Sequence, residues 1–108
     1  MKTLKFRQFK ANEIIAGRKY ASHRLFDDKN FRVGEVIDLI VWETGESFAR
    51  AKITRTEEKR LGELQKEDWE GHERFTSDKE MYATYSKYYG RPIGPEDTIK
   101  IIRFELLR

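Results

Sequence analysis

The residues best equipped for chemistry crowd into one stretch, "IIAGRKYASHRLFDD", Ile14 to Asp28. It gathers Arg18, Lys19 and Arg24 around a hydroxyl, Ser22, and an imidazole, His23, with Gly17 just ahead of them. Three readings suit that set. Clustered cations attract phosphates, nucleotides or RNA. A lysine brought to its neutral form is a general base, and a hydroxyl beside a base is a nucleophile. A charge run can also be no more than a solvated face.

Composition removes other chemistries. The chain of 108 residues has no cysteine, so disulfides, thiolate nucleophiles and cysteine metal sites are excluded. Its two histidines, His23 and His72, are too few for a metal cluster without carboxylate help. No metal and no cofactor are expected. The net charge is +3, unevenly placed: residues 1–34 carry nine Lys/Arg against three Asp/Glu, and the remainder thirteen against sixteen. The basic excess thus surrounds the reactive stretch. The apolar run around Ile37–Trp42 is far too short to span a membrane, and the N-terminus has no signal-peptide core. A cytoplasmic protein without membrane association is expected. Its length suits one domain over residues 1–108. The lack of an obvious exposed apolar stripe suggests a monomer.

The elements that must position these residues can be read in order. Thr3–Phe6 reads as a short strand. "KANEIIAG" reads as a short helix, with Gly17 where a left-handed C-terminal cap is needed. Lys19–Phe26 reads as a strand. Val36–Trp42 and Phe48–Thr54 form a hairpin about a turn at Thr44–Ser47, and Ala49, Ala51 and Ile53 alternate with polar neighbours. Leu61–Phe75 is helical or irregular, interrupted by Gly71. "TSDKEMYATYSKYYG" is the strongest helix, opened by Ser77 with Glu80 three residues on and closed by Gly90. Met81, Tyr85, Tyr88 and Tyr89 line one side of it. Tyr82, Tyr85, Tyr88 and Tyr89 could stack on bases, but helical spacing favours packing on the sheet. Trp42 and Trp69 are expected in the core or a cleft wall. Thr98–Leu107 is a last strand, buried on both faces near Ile101–Ile102. The order β-α-β-β-β-α-α-β is α+β. It fits a small, partly closed β-barrel of about five to six strands with two or three flanking helices.

"GRKYASHR" matches the G-x-K-x-x-x-x-R signature of the ASCH domain, a branch of the PUA-like superfamily, at Gly17, Lys19 and Arg24. With the "KFRQF", "GEVIDL" and "LGELQKEDWEGHERF" segments, the tyrosine-rich helix and "IKIIRFEL", the resemblance covers nearly the whole chain. It implies a PUA-like barrel with a cleft beside the motif, and an RNA- or nucleoside-handling role. The sequence resembles a branch of short bacterial proteins that hydrolyse N4-acetylcytidine to cytidine and acetate. By that resemblance Lys19 is the base and Ser22, where those relatives carry threonine, the nucleophile. The proton-transferring glutamate falls on Glu73, with His72 and Glu70 as neighbouring alternatives. Arg24 and Gln8 would contact substrate. The partner implied is a small-molecule nucleoside. A non-catalytic RNA-binding module is the alternative, and a ribonuclease a weaker third.

In a regular strand, Lys19 and Ser22 would point to opposite faces. Their cooperation therefore requires the chain after Gly17 to depart from strand geometry.

Overall fold

The computed structural model describes residues 1–26 and 29–108. Five strands form one curled sheet in the order β1-β3-β4-β5-β2. They are β1 (Thr3–Phe6), β2 (Ala21–Leu25), β3 (Val36–Val41), β4 (Ser47–Arg60) and β5 (Thr98–Leu107). The β1–β3 pair is parallel and the other pairs are antiparallel. Two helices flank the sheet, α1 (Gln8–Ile15) and α2 (Asp78–Tyr89). This is the expected half-open barrel, with five strands and two helices.

The curl has a local cause. The register of β4 against β5 slips between Ile53 and Arg55, leaving Thr54 as an extra residue. Such a bulge bends the strand and sharpens its twist. The hairpin arm expected to stop at Thr54 instead continues to Arg60. Its second half is Arg-Thr-Glu-Glu-Lys-Arg, without apolar alternation, and it is held by the β5 ladder rather than by burial of one face. The sheet edges β1 and β2 approach without pairing. Arg24 Nη2 donates to the Lys5 carbonyl at 3.0 Å, and Lys29 Nζ to that of Thr3 at 2.8 Å.

Two apolar clusters cover the sheet. One fills the barrel with Phe6, Ile14, Ile37, Leu39, Ile53, Ile102 and Phe104 among others. The second joins Leu25 and Ile99 to Leu61, Ile93 and the α2 residues Met81 and Tyr85. Neighbouring β5 residues therefore feed opposite layers, and both Ile101 and Ile102 are fully buried, as expected. Ser77 caps α2 by accepting from Glu80 N at 3.1 Å, and Gly90 ends it at φ 68°.

Between β4 and α2 the chain makes two 3-10 turns, Leu61–Glu63 and Lys66–Trp69, instead of a helix. Buried Asp68 holds the second turn by accepting from Gln65 N at 2.8 Å and Lys59 Nζ at 2.9 Å. No helix among the described residues is long and apolar enough to cross a membrane.

Candidate active site

The turn required after α1 is present. The helix ends at Ile15, Gly17 takes φ 83°, and the amides of Arg18 and Lys19 both donate to the Glu13 carbonyl. The next two amides, Tyr20 N and Ala21 N, converge on the Gly71 carbonyl at 2.9 and 3.1 Å. Strand pairing of β2 with β5 starts only at Ala21. Lys19 therefore lies outside the β alternation, and its side chain lines the same cleft as Ser22. That cleft, about 320 Å³, opens over the gap between β1 and β2. Phe6 borders it from β1, Phe9 and Lys10 from α1, and Tyr85 and Tyr88 from α2.

Lys19 is only 4% exposed. Its Nζ donates to Glu73 Oε2 at 2.7 Å, and Lys10 Nζ lies 3.4 Å from Glu73 Oε1. Burial pushes the Lys19 ammonium down to about 8, against the pull of Glu73 and with help from the Lys10 and Arg24 charges. Burial would raise Glu73, but the Lys19 hydrogen bond and charge outweigh it and hold the carboxyl well below its usual range. Ser22 Oγ is buried and accepts from Arg24 Nε at 2.7 Å. The hydroxyl is thus held by a permanent cation, while Lys19 is engaged with the carboxylate.

The five residues singled out in the sequence divide four to one. Lys19, Ser22, Arg24 and Glu73 line one cleft. Gln8 does not; its amide donates to Asn12 Oδ1 and its backbone N–H to Glu43, on the outer side of α1. Of the alternatives to Glu73, His72 lines the cleft, whereas Glu70 accepts from Tyr20 Oη at 3.2 Å outside it.

Sequence reasoning passed over Phe6 and Phe9, and left Trp42 between core and cleft wall. Phe6 reads as an ordinary core residue, yet its ring lies 5.8 Å from Lys19 Nζ and 5.3 Å from the Arg24 guanidinium. Trp42 ends the β3 arm and belongs to the cleft wall, 53% exposed, with the Arg7 guanidinium 3.8 Å over its ring. Tyr85 packs on the sheet as its helical spacing implies, but Tyr88 is 68% exposed and joins Trp42 and Phe9 at the rim. Three separate elements supply this aromatic rim, so no stripe in the sequence marks it. Among the described residues, no group of three or more potential ligand side chains is placed to hold a metal ion.

No family model matches the sequence, and no curated protein is significantly similar to it. Solved structures are. Protein EF3133 from Enterococcus faecalis V583, described under the family model DUF984, superposes with a TM-score of 0.74 at 12% identity, covering 89% of this chain and 68% of that one. The ASCH domain from Lactobacillus crispatus gives 0.68 at 15% identity, with coverages of 97% and 79%. The ZmASCH protein from Zymomonas mobilis gives 0.65 at 14% identity, with coverages of 95% and 66%. The chain shares the fold of these ASCH-domain structures, a small α+β half-barrel.

Proposed function

We propose that this chain is an amidohydrolase that removes the acyl group from N4-acetylcytidine or a related N4-acylated cytosine nucleoside. The observation that carries the reading is the ion pair of buried Lys19 with Glu73 at 2.7 Å, set in one cleft with Ser22. A lysine lowered to about 8 has an appreciable neutral fraction near physiological pH, which a general base requires.

Ser22 Oγ attacks the acyl carbon while neutral Lys19 takes the hydroxyl proton. Arg24, bonded to the same oxygen, steadies the charge that develops there. Lys19 passes a proton to Glu73, and Glu73 delivers it to the departing N4, giving cytidine and an acyl-serine. The leaving nitrogen is an aminopyrimidine whose lone pair is drawn into the ring, so it departs more readily than an alkylamine. Water then attacks the ester, a proton returns to Ser22, and the carboxylic acid leaves.

A phosphate-gripping surface fits the same residues less well. Glu73 lies between Lys10 and Lys19 and engages both cations.

The test is incubation of the purified protein with N4-acetylcytidine, with cytidine followed by chromatography. Turnover by the wild type, abolished in both Lys19→Ala and Ser22→Ala, is the expected result. No turnover across several N4-acyl groups rejects the hydrolase, and an active Ser22→Ala rejects the acyl-serine.

A further inference from the structure

The reaction above leaves both histidines of the cleft, His23 and His72, unused. They are far apart in sequence, yet their rings stack with centroids 3.9 Å apart and planes 14° from parallel. Trp69 closes against both, at 4.9 and 5.8 Å. His23 lies in β2 between Ser22 and Arg24 and is 6% exposed. Its Nε2 is 3.1 Å from the Asp68 carbonyl, which can only accept, so Nε2 carries the hydrogen. His72 Nδ1 is 2.7 Å from the Glu73 carbonyl and carries its hydrogen for the same reason. The remaining nitrogen of His23, Nδ1, is buried with no hydrogen-bond partner among the described residues. Buried polar atoms are nearly always paired. The ring is therefore placed by its Nε2 bond to Asp68 and by the stack, with nothing polar holding its Nδ1 edge.

We propose that the His23–His72 stack positions Glu73. In this arrangement His23 ties the 68–73 segment to the strand that bears Ser22, and His72 fixes the Glu73 backbone so that its carboxylate meets Lys19. The inference rests on Lys19 and Glu73 being the reacting pair. Glu73 needs such a device. It follows the second 3-10 turn and precedes α2, so neither helix nor strand fixes it. Catalytic groups must be held within fractions of an ångström by what supports them. Both histidines are positioning residues, acting through Glu73.

The charged groups around the stack are Lys19, Glu73 and Arg103 of β5; those around Lys19 are Glu73, Lys10 of α1 and Arg24 of β2. Burial keeps both imidazoles neutral through the neutral range. Removing either ring at pH 8 therefore removes no charge, and this makes the test directional. If His72 only shielded Lys19 from water, its loss would hydrate the ammonium and raise the Lys19 midpoint. If it positions Glu73, its loss releases the carboxylate and lowers that midpoint.

The experiment is 13C NMR titration of Lys19 Cε in the wild type and in Glu73→Gln, His72→Ala and His23→Gln. His72→Ala is expected to lower the Lys19 midpoint by about half a unit or more, in the same direction as Glu73→Gln. His23→Gln, whose amide can still donate to the Asp68 carbonyl, should lower it less. A midpoint that stays put or rises in His72→Ala, while Glu73→Gln lowers it, overturns the proposal. His72 is only half-buried, so this variant keeps the test available if His23→Gln fails to fold. The titration needs no substrate, so failure of the positioning role and failure of the hydrolase reading are separately visible. Where turnover is measured, His72→Ala should lower kcat at least tenfold with KM little changed, and a loss confined to KM counts against positioning.

Discussion

At the scale of single residues, the least ordinary choice in this chain is a lysine in the interior. Lowering its pKa from 10.5 to about 8 corresponds to a cost on the order of 3 kcal/mol for holding the ammonium charged at pH 7. That figure already includes the Glu73 hydrogen bond, which offsets part of the burial penalty and in turn depresses the carboxyl. Removing one member of an ion pair is costly where it strands the other in the interior, but the Glu73 side chain is 42% exposed and keeps Lys10 Nζ at 3.4 Å, so losing the Lys19 ammonium strands no charge. Lys19→Met is therefore expected to gain about 1–2 kcal/mol in urea unfolding at pH 7 while losing all turnover. A less stable variant would show that the Lys19–Glu73 pair holds the fold together, and that its burial serves structure before chemistry. Ser22 and Arg24 form a different kind of unit. The Arg24 fork spends Nε on the hydroxyl and Nη2 on the Lys5 carbonyl, so it orients Ser22 Oγ and ties the two sheet edges together. A lysine has no fork with which to do both.

At the scale of elements, the site is assembled where regular structure stops. Lys19 lies between α1 and β2, and Glu73 between a 3-10 turn and α2. Gly71 clasps the two segments. Its carbonyl takes the amides of Tyr20 and Ala21, its φ is 76°, and a Cβ there would lie 2.5 Å from the Tyr20 ring. Gly71→Ala is expected to cost about 2–4 kcal/mol, from the left-handed backbone and the clash together. It should also lower kcat by displacing Lys19 from Glu73. Adding Tyr20→Ala removes the clash and leaves the backbone strain, so the double variant should recover about half of the loss in urea unfolding. A single variant within about 0.5 kcal/mol of wild type would mean that the clasp yields freely.

The same elements show why parts of the molecule are legible in sequence and others are not. Thr3–Phe6 and Thr98–Leu107 are strands over the residues that their apolar patterns imply, and Ser77 and Gly90 bound α2 as local capping chemistry requires. Those signals are local. The continuation of β4 through Arg55–Arg60 is invisible because β5, not a buried face, holds it. The Leu61–Phe75 segment takes its shape from Lys59, Gln65 and Tyr20, which no periodicity records. In the site, Lys19, Ser22 and Arg24 are marked by proximity in sequence. Glu73, His72 and Glu70 are equivalent there, and only tertiary contacts separate the carboxylate at Lys19 from the one at Tyr20. Gln8 shows the converse, a residue that the family resemblance places near the motif but that lies outside the cleft lining.

At the scale of the whole molecule, four titratable groups of the cleft, His23, His72, Glu73 and Lys19, give stability an unusual pH dependence. Burial lowers His23 to about 4 and lowers His72 as well. A histidine whose folded pKa is depressed takes up its proton more readily in the unfolded chain. The unfolded state then binds more protons between about pH 4 and 6.5, and stability falls as pH falls through that window. For His23 alone the loss is on the order of 3 kcal/mol. Glu73, held below its ordinary range, adds a further loss below about 4.5 as its carboxylate is protonated. Lys19 acts in the same sense higher up: between about 8 and 10.5 only the unfolded chain keeps its proton, so stability rises with pH there. Urea unfolding at pH 7, 5.5 and 4.5 should therefore show a steep decline, and His23→Phe should flatten it even though that variant starts lower for want of its bond to Asp68. Between pH 8 and 10 the wild type should gain stability and Lys19→Met should not. A flat acid limb, or one equally steep in His23→Phe, would place the acid sensitivity in surface carboxylates and require that the imidazoles reach water more easily than their burial implies.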